Sequence, residues 1–344
     1  MSVSVVIRSK DEADRLRLTL ASLSRQSAPA EVVVVNDGSS DHTRAVLEEA
    51  AGWLPLTVVH HDQPRGRSGA ANAGARAASG ETLLFLDGDT LAGPDLVERH
   101  AAAHAARTGL IGRGDTHHLR CTRFLLDPER GTPKPEEASR LERLPLLELE
   151  GMRVTRAQIL RDFAAIHRRA EPSVYPGAGP RRLQELELDA LRHHPDCSVL
   201  WAAASGSNLS VPRSAFLAAG GFNEAIDINE HRELALRLCE AGLRMGLVEG
   251  ALTYHLTHQS GWRDPLKNTG WEQVFFAAHP MPEVNLLAVW WASLSPQSPL
   301  PPEARITSLP ALEAAARGQS GVDYERARAA LGLPRLTSPT LAPA

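Results

Sequence analysis

The stretch Glu81-Thr-Leu-Leu-Phe-Leu-Asp-Gly-Asp-Thr90 decides the fold that we predict for this chain. Leu83 to Leu86 is an uninterrupted apolar run, which is typical of a strand buried on both faces of a parallel sheet. The run ends in Asp87 and Asp89, and two carboxylates at the end of a buried strand are costly unless a positive charge meets them. Their oxygens at this spacing suit a divalent cation such as Mg²⁺ or Mn²⁺. An ordinary surface turn is the competing interpretation, and the stretch alone does not separate the two.

Toward the N-terminus, three more apolar runs alternate with helical patterns. The resulting order β-α-β-α-β-α-β over the first 90 residues predicts an α/β fold with a doubly wound, mostly parallel sheet. Ser9 or Asp11 is expected to cap the first helix. The predicted strands are Val3–Ile7, Val32–Val35, Leu56–Val59 and the opening run, and the helical patterns include Leu16, Leu20 and Leu23, then 45–50 and 70–78.

Polar clusters follow three of these strands, at Arg8–Glu12, Asn36–Asp41 and Asp87–Asp89. Ligands of such sheets bind beyond the carboxyl ends of the strands, so the three clusters predict one site. Asp37 has two interpretations, a structural turn residue or a strand-end carboxylate that accepts from a base N–H or a ribose hydroxyl. No GxGxxG follows the first strand and no P-loop motif occurs, which disfavours dinucleotide dehydrogenases and P-loop enzymes.

The composition narrows the class of protein. A formal net charge of −4 over 344 residues leaves no overall basic footprint for nucleic acid, so no nucleic-acid partner is expected. Cys121, Cys197 and Cys239 are scattered, which disfavours a disulfide scaffold or zinc site and fits a cytoplasmic location. No apolar run reaches the ~18 residues that span a bilayer, and no signal peptide is expected. Peripheral membrane contact stays open.

Four segments, in this order and spacing, resemble the family 2 glycosyltransferases of the GT-A fold. That resemblance implies a Rossmann-like GT-A sheet and transfer of a sugar from a nucleotide-diphosphate sugar, such as a UDP- or GDP-sugar, to a hydroxyl acceptor. The segments are Val5-Val-Ile-Arg-Ser-Lys-Asp-Glu12, Val34-Val-Asn-Asp-Gly-Ser-Ser-Asp-His-Thr43, Gly66-Arg-Ser-Gly-Ala-Ala-Asn-Ala-Gly74 and Gly80-Glu-Thr-Leu-Leu-Phe-Leu-Asp-Gly-Asp89.

The resemblance also assigns roles to single residues. In this family the Asp-x-Asp motif holds Mn²⁺ or Mg²⁺ on the diphosphate, which implies that role for Asp87 and Asp89. The family's usual Arg before Asn72 is Ala71 here, so a basic contact at that point is in doubt. The residues implied to contact the nucleotide-sugar are Arg8, Asp37, Arg67, Asn72 and Asp87.

The later half contains a second matching pattern, with one departure. Gly220-Gly-Phe-Asn-Glu224 and Asn229-Glu-His-Arg-Glu-Leu234 resemble the family's acceptor-side motifs, but His231 stands where an Asp is usual. Glu230 and His231 are therefore both candidates for the base of an inverting transfer. A helix N-terminus favours the anionic Glu and lowers the basicity of the His.

Other readings of the later half remain open. Loss of the Asp is also compatible with a retaining GT-A transferase or a catalytically impaired nucleotide-sugar binding protein. A nucleotidyltransferase is disfavoured, because no Gly-rich loop follows the first strand.

Two histidines complete the predicted metal site. His255 follows the last predicted strand, Leu247–Tyr254, at a place where several GT-A enzymes carry a metal-ligating His. His258 is the next candidate, because His-x-x-His puts two imidazoles one helical turn apart. Zinc catalysis is disfavoured, since the other expected ligands are carboxylate oxygens.

Four segments are predicted along the chain. Residues 1–110 form the nucleotide-sugar half of a GT-A domain and residues 201–290 its acceptor-side half. Residues 111–200 are an insertion with helices expected at 136–149 and 156–169. Residues 291–344 are a Pro-rich extension, linker-like from Ser293, with a helix near 324–333 and a disordered last ~10 residues. Trp262, Trp271, Phe275 and Phe276 are expected mainly to cover the core.

Overall fold

The computed structural model describes residues 1–172, 183–258, 266, 269–295 and 297–337. Strands and helices alternate through the first hundred residues, as the apolar pattern predicts. The strands are β1 (Val3–Ser9), β2 (Glu31–Asp37), β3 (Leu56–His61), β4 (Thr82–Asp87), β5 (Thr90–Ala92), β6 (Leu110–His118), β7 (Leu125–Asp127), β8 (Thr132–Pro133), β9 (Glu171–Pro172), β10 (Leu209–Pro212) and β11 (Arg244–His255).

Helices cover both faces of the sheet and fill the segments between the later strands. Short 3₁₀ turns lie between them, at Arg120–Phe124, Pro135–Glu137, Leu200–Ala203 and Pro302–Ala304. The α-helices are α1 (Ala13–Leu23), α2 (Thr43–Ala50), α3 (Gly66–Ala77), α4 (Leu96–Ala106), α5 (Ala138–Leu141), α6 (Leu146–Met152), α7 (Arg156–Arg161), α8 (Phe163–His167), α9 (Leu183–His193), α10 (Arg213–Ala218), α11 (Glu230–Glu240), α12 (Gly270–Ala278), α13 (Pro282–Ser293), α14 (Leu309–Ala316) and α15 (Tyr324–Ala330).

One sheet organises the molecule, with strand order β3-β2-β1-β4-β10-β6-β11-β5 and β9 paired to β6. Strands β3, β2, β1 and β4 are mutually parallel, and β6 is parallel to β11. The short β10 runs antiparallel to both of its neighbours, β4 and β6, and so joins the two parallel groups. The sheet is therefore mostly parallel and doubly wound, as predicted.

The parallel group is buried because its strands are apolar on both faces. Val33 and Phe85 belong to the core cluster on one side, while Val34 and Leu84 belong to the cluster on the other. This two-sided burial explains why the strands are continuous apolar runs without the alternation of a half-exposed sheet.

The cap of α1 differs from the expectation. The N-cap residue is Glu12, and its side chain makes no capping hydrogen bond. Instead Asp41, from the loop after β2, accepts a hydrogen bond from the backbone N of Ala13 at 3.0 Å. Asp11 accepts from the N of Ser40 at 2.7 Å, so it fastens the same two loops together. The expected local cap was wrong because a neighbouring loop brings a carboxylate to the orphan amide first.

Two predicted boundaries cut through secondary structure. Residue 110 begins β6, which extends to His118 and lies in the middle of the sheet. Residue 291 lies within α13. The helix expected at 136–149 divides into a 3₁₀ turn, α5 and α6, and the helix expected at 156–169 divides into α7 and α8.

The Pro-rich extension packs on the core and is not a linker. Leu300, Ile306 and Leu312 are at most 2% exposed. Arg328 on α15 forms a buried ion pair with Glu272 on α12, with Nη1 3.0 Å from Oε1. Proline restricts the backbone but does not prevent burial of the apolar side chains between the prolines, which is why composition alone misled.

Some expectations lie outside the described residues, namely the cover role of Trp262 and the disorder of most of the last ten residues. Trp271 and Phe275 are buried, as expected of a hydrophobic cover. Among the helices that the structure describes, none is long and apolar enough to span a bilayer.

Candidate active site

A cavity of about 310 Å³ opens beyond the carboxyl ends of β1 and β4. Its walls come from the N-terminal half, from the loop before β10 and from the start of α11, so the fold joins segments far apart in sequence. Eight of the ten predicted site residues line this cavity: Arg8, Arg67, Asp87, Asp89, Glu230, His231, His255 and His258.

Asp87 and Asp89 occupy different positions around Gly88. Asp87 is the last residue of β4, and Asp89 lies just before β5 and is 6% exposed. A Cβ atom on Gly88 would come within 2.9 Å of the Oγ atom of Ser9, so the close approach of β1 requires a glycine here. The two carboxylates therefore face the cavity from a tightly packed strand end.

Asp89, His255 and His258 form a candidate metal centre. Oδ2 of Asp89 lies 3.2 Å from Nε2 of His255 and 2.9 Å from Nε2 of His258. One potential ligand atom from each residue lies within 4.8 Å of the others. The predicted reason for the histidine pairing was wrong, because His255 ends β11 and His258 follows it without helical structure. The two imidazoles converge on Asp89 because the chain leaving β11 is bonded to it, with the backbone N of Leu256 donating to the carbonyl oxygen of Asp89 at 2.8 Å.

The charges of this group support one another. Burial opposes ionisation of Asp89, but His255 and His258 outweigh burial and hold the pKa of this carboxyl well below its usual range. Burial also opposes protonation of His255, and the carboxylates of Asp89 and Asp87 reverse this and raise its pKa. The cluster therefore favours an ionised Asp89 and protonation of His255 in the place where a cation would fit.

Glu12 is a member of this neighbourhood that the sequence analysis did not single out. Burial, together with the nearby carboxylates of Asp89 and Asp87, raises the pKa of Glu12 well above its usual range. A cation bound beside the Asp-Gly-Asp turn would therefore favour ionisation of this third acid. The sequence places Glu12 just before the first helix, but it does not show that the Glu12 side chain lies near Asp87 and Asp89.

Arg8 connects the two halves of the cavity. Its Nε donates to Oδ1 of Asp87 at 2.8 Å, and its Nη1 donates to Oε1 of Glu230 at 3.0 Å. Burial disfavours the charged guanidinium, yet these two carboxylates raise its pKa above the usual value. The end of β4 and the start of α11 are thus held together by one arginine from β1.

Glu230 and His231 begin α11 at the back of the cavity. The Glu230 side chain is 2% exposed and that of His231 is 15% exposed. Burial disfavours ionised Glu230, but His231 and Arg8 outweigh this and hold the pKa of the carboxyl below its usual range. Burial, and then the positive charges of Arg232 and Arg8, lower the pKa of His231. At neutral pH the pair is therefore a carboxylate beside a neutral imidazole.

Arg67 differs from the other cationic lining residues. Arg8, Arg113 and Arg232 all form ion pairs with carboxylates. Arg67, at the start of α3, is exposed and has no ion pair or hydrogen bond to another residue that the structure describes. Its guanidinium is therefore available to an anionic ligand entering the cavity.

Asp37 and Asn72 are turned away from this cavity. Asp37 is 4% exposed and accepts from Nδ1 of His61 at 2.7 Å and from the backbone N atoms of Arg65 and Gly66 at 2.8 and 3.0 Å. Asn72 exchanges hydrogen bonds with the backbone of Phe222. In this conformation Asp37 fixes the start of α3 and Asn72 fastens α3 to the 220–224 loop, so their donor-contact roles stay predictions.

The cavity wall contains a buried cluster of charged residues that was not predicted from the sequence. Glu187 on α9 accepts from Nη1 of Arg113 and from Nη2 of Arg232, both at 2.6 Å. All three residues are at most 7% exposed. A signal was present in α9, because Glu187 occupies the same helical face as the buried Leu183 and Leu191. A carboxylate on an apolar face predicts a buried cationic partner.

The comparisons with known proteins agree with this geometry. Residues 4–159 match the family described as Glycosyl transferase family 2. The validoxylamine A glucosyltransferase of Streptomyces hygroscopicus subsp. jinggangensis is 30% identical over 249 residues, which cover 71% of this chain and 52% of that protein. The chain spans about half the length of the validoxylamine A glucosyltransferases that it matches.

Solved structures show the same fold. The mannosyltransferase PcManGT from Pyrobaculum calidifontis, in complex with GDP-Man and Mn²⁺, superposes with a TM-score of 0.52 at 17% identity, covering 96% of this chain and 78% of that one. S. aureus TarS 1-349, in complex with UDP-GlcNAc, gives a TM-score of 0.51 at 15% identity, covering 86% of this chain and 70% of that one. At these identities the likeness concerns the fold.

Proposed function

Because residues 4–159 belong to glycosyl transferase family 2 and the chain has the GT-A fold, we propose that the protein transfers a sugar from a nucleotide-diphosphate sugar to a hydroxyl acceptor. The proposed donor is a UDP- or GDP-sugar, the classes bound by the two structural neighbours. The proposed reaction depends on Mn²⁺ or Mg²⁺ and inverts the anomeric centre.

One observation carries the proposal. Arg8 joins Asp87, at the metal side of the cavity, to Glu230, at the opposite wall, through contacts of 2.8 and 3.0 Å. A candidate metal-binding strand end and a candidate proton acceptor therefore share one cavity, as the proposed sugar transfer requires. The family match alone covers residues 4–159 and does not reach Glu230.

The residues at the metal side fit a divalent cation. Asp89, His255 and His258 offer one oxygen and two nitrogen ligands within 4.8 Å of one another, and Asp89 is held ionised. A bound Mn²⁺ or Mg²⁺ would neutralise the charge that develops on the diphosphate leaving group. Imidazole ligands suit Mn²⁺ better than Mg²⁺, which prefers oxygen. Asp87 faces the same donor region, paired with Arg8.

The chain's own residues divide the remaining work. Arg67 forms no ion pair with a carboxylate among the described residues, although its charge acts on Glu230, and in the proposal it binds a phosphate of the donor. Glu230 takes the proton of the acceptor hydroxyl as that oxygen bonds to the anomeric carbon and the bond from that carbon to the phosphate oxygen breaks. The electron pair of the broken bond leaves with the nucleoside diphosphate.

A retaining transfer is the second candidate, favoured by the pairing of Glu230 with Arg8. The nearby guanidinium and His231 hold the pKa of this carboxyl below its usual range, which makes it a weaker base in the free protein. Retaining chemistry would not require Glu230 as a base.

A thermal-shift screen of UDP, GDP, ADP and CMP, each with and without Mn²⁺, tests the donor proposal. Stabilisation by one nucleotide only in the presence of metal would identify the donor class. Stabilisation by none of them would contradict it. The anomeric proton of the transferred sugar, observed by NMR in the first product formed, then separates inversion from retention.

A further inference from the structure

Each of the three guanidinium nitrogens of Arg232 has a hydrogen-bond partner around the start of α11. Its Nε donates to the carbonyl oxygen of Ala202 at 2.7 Å and its Nη2 to Oε1 of Glu187 at 2.6 Å. Its Nη1 carries two hydrogens and lies 2.7 Å from Oδ1 of Asn229 and 2.9 Å from Nε2 of His231. Four of the five guanidinium hydrogens therefore have fixed acceptors, which leaves the group no freedom to rotate.

This arrangement determines where the proton of His231 resides. A guanidinium only donates hydrogen bonds, so Nε2 of His231 at 2.9 Å must accept and must carry no proton. The single proton of the neutral imidazole is then on Nδ1. The lone pair that a general base would need is already occupied by Arg232.

The protonated nitrogen lies next to Glu230. Nδ1 of His231 is buried, is 3.6 Å from Oε2 of Glu230, and has no hydrogen-bond partner among the described residues. The charged groups that face it are Glu230 and Arg232 from α11 and Arg8 from β1. The loop before β10 closes the remaining side, because a Cβ atom on Gly206 would come within 3.3 Å of Nδ1.

We infer that His231 is a positioning residue, fixed by Arg232 as the Nδ1–H tautomer, which presents a donor beside Glu230 and does not take the acceptor's proton. The Nδ1–H dipole and the Arg8 guanidinium flank the two oxygens of Glu230 and hold the carboxylate ionised and oriented. The tautomer depends only on the contacts of α11, whereas the role of Glu230 rests on the proposed sugar transfer. Of the two candidate bases, only Glu230 remains.

The tautomer is measured directly by ¹⁵N NMR of the imidazole nitrogens in the full-length protein without substrate. The His231 signals are identified by their loss in His231→Gln and, independently, by through-bond connection to the His231 backbone amide. We expect protonated Nδ1 and unprotonated Nε2 at every pH from 6 to 8. A proton on Nε2 at any pH in this range, as the other tautomer, an imidazolium or an exchanging mixture, would overturn the inference. This measurement stands even if the protein proves not to transfer sugars.

The role is tested by His231→Asn, whose amide nitrogen can replace the N–H group that Nδ1 presents beside Glu230. With the donor kept, we expect kcat to fall by less than about 10-fold and kcat/KM to keep the pH dependence of the wild type between pH 6 and 8. His231→Gln, which keeps only an acceptor for Arg232, is expected to lose more activity than His231→Asn. A wild-type acidic limb between pH 6 and 8 that disappears in His231→Asn, or a fall in kcat of about 10-fold or more in this variant, is the signature of a base and would overturn the role.

Discussion

The end of β4 and the start of α11 both place charged groups on one cavity, but they satisfy those charges by different means. Asp89 at the first place meets His255 and His258, which would release it to a cation. Glu230 and Arg232 at the second place meet partners from β1 and α9 that are themselves buried or nearly so. The charged side chains of the first region are available to a ligand, whereas those of the second region are held in place by buried partners.

This comparison has a consequence for mutations. A change at the end of β4 should act on ligand binding and leave the fold intact. A change at the start of α11 should act on the rate of reaction or on stability. Its charged groups are buried, so water cannot solvate a charge that has lost its partner. Five measurements test this division, beginning with the largest expected effect.

Glu230→Gln should lower kcat by about 10²- to 10⁴-fold, because it removes the proposed proton acceptor and keeps the shape of the side chain. Metal-dependent nucleotide binding, measured by calorimetry, should change little. Glu240→Gln, at the exposed C-terminal end of the same helix, is the matched control. A Glu230→Gln variant with wild-type turnover would eliminate the inverting base and favour the retaining alternative.

Glu187→Gln should reduce the free energy of unfolding by about 3–5 kcal/mol, because it leaves Arg113 and Arg232 buried without their shared carboxylate. Urea denaturation measures the change. Asp189→Asn on the same helix is the control, since its side chain is 58% exposed. Equal, small losses in both variants would show that the start of α11 does not depend on α9.

Asp89→Ala should weaken Mn²⁺ binding by at least about 100-fold while the unfolding transition stays cooperative. Calorimetric titration with Mn²⁺ in the presence of the nucleotide measures this affinity. Asp95→Ala, an exposed carboxylate paired with Arg99, is the control. Unchanged metal-dependent nucleotide binding in Asp89→Ala would show that the central assignment is wrong.

Arg67→Ala should weaken nucleotide binding by about 10-fold, the loss expected for one charge-assisted hydrogen bond at an exposed position. Arg65→Ala is a close control, because Arg65 is exposed beside the same helix start but does not line the cavity. Similar losses in the two variants would replace a specific phosphate contact with general electrostatic attraction.

The stability of the protein should depend on pH through the buried contact between α4 and the Asn208–Ser210 segment. His100 on α4 is fully buried between Asn208 and Ser210, and burial lowers its pKa to about 4. The unfolded chain binds this proton near pH 6.5 and the folded protein only near pH 4, so stability falls as pH falls between these values. From pH 7 to 5.5 the loss is about 1 kcal/mol for this histidine.

Urea denaturation at the two pH values measures that loss. It should shrink in His100→Gln and persist in His193→Gln, whose imidazole is exposed. An unchanged loss in His100→Gln would assign the pH dependence to groups other than this buried histidine.

The parts of the site that the sequence predicted are those whose partners follow a regular pattern. Asp87 and Asp89 end a buried apolar run, and the ends of parallel strands meet at one edge, so their position follows from local pattern and sheet geometry. His255 was predicted from the family resemblance, and it lies at the end of β11. The predicted contacts of Asp37 and Asn72 with the donor had a weaker basis in the sequence. A short motif does not show which backbone groups will form hydrogen bonds with these side chains.

The sequence by itself determined the alternation of strands and helices, the sheet edge at which the carboxyl ends of the parallel strands meet, and the Asp-Gly-Asp turn. Each of these depends on residues near one another along the chain. Tertiary structure alone decided that Glu187, 45 residues before Arg232, would share its carboxylate with that arginine. It thereby decided the tautomer of His231, because a donor-only guanidinium 2.9 Å from Nε2 leaves one place for the proton. Proton positions follow from contacts in space, and those contacts exist only after α9 has packed against α11.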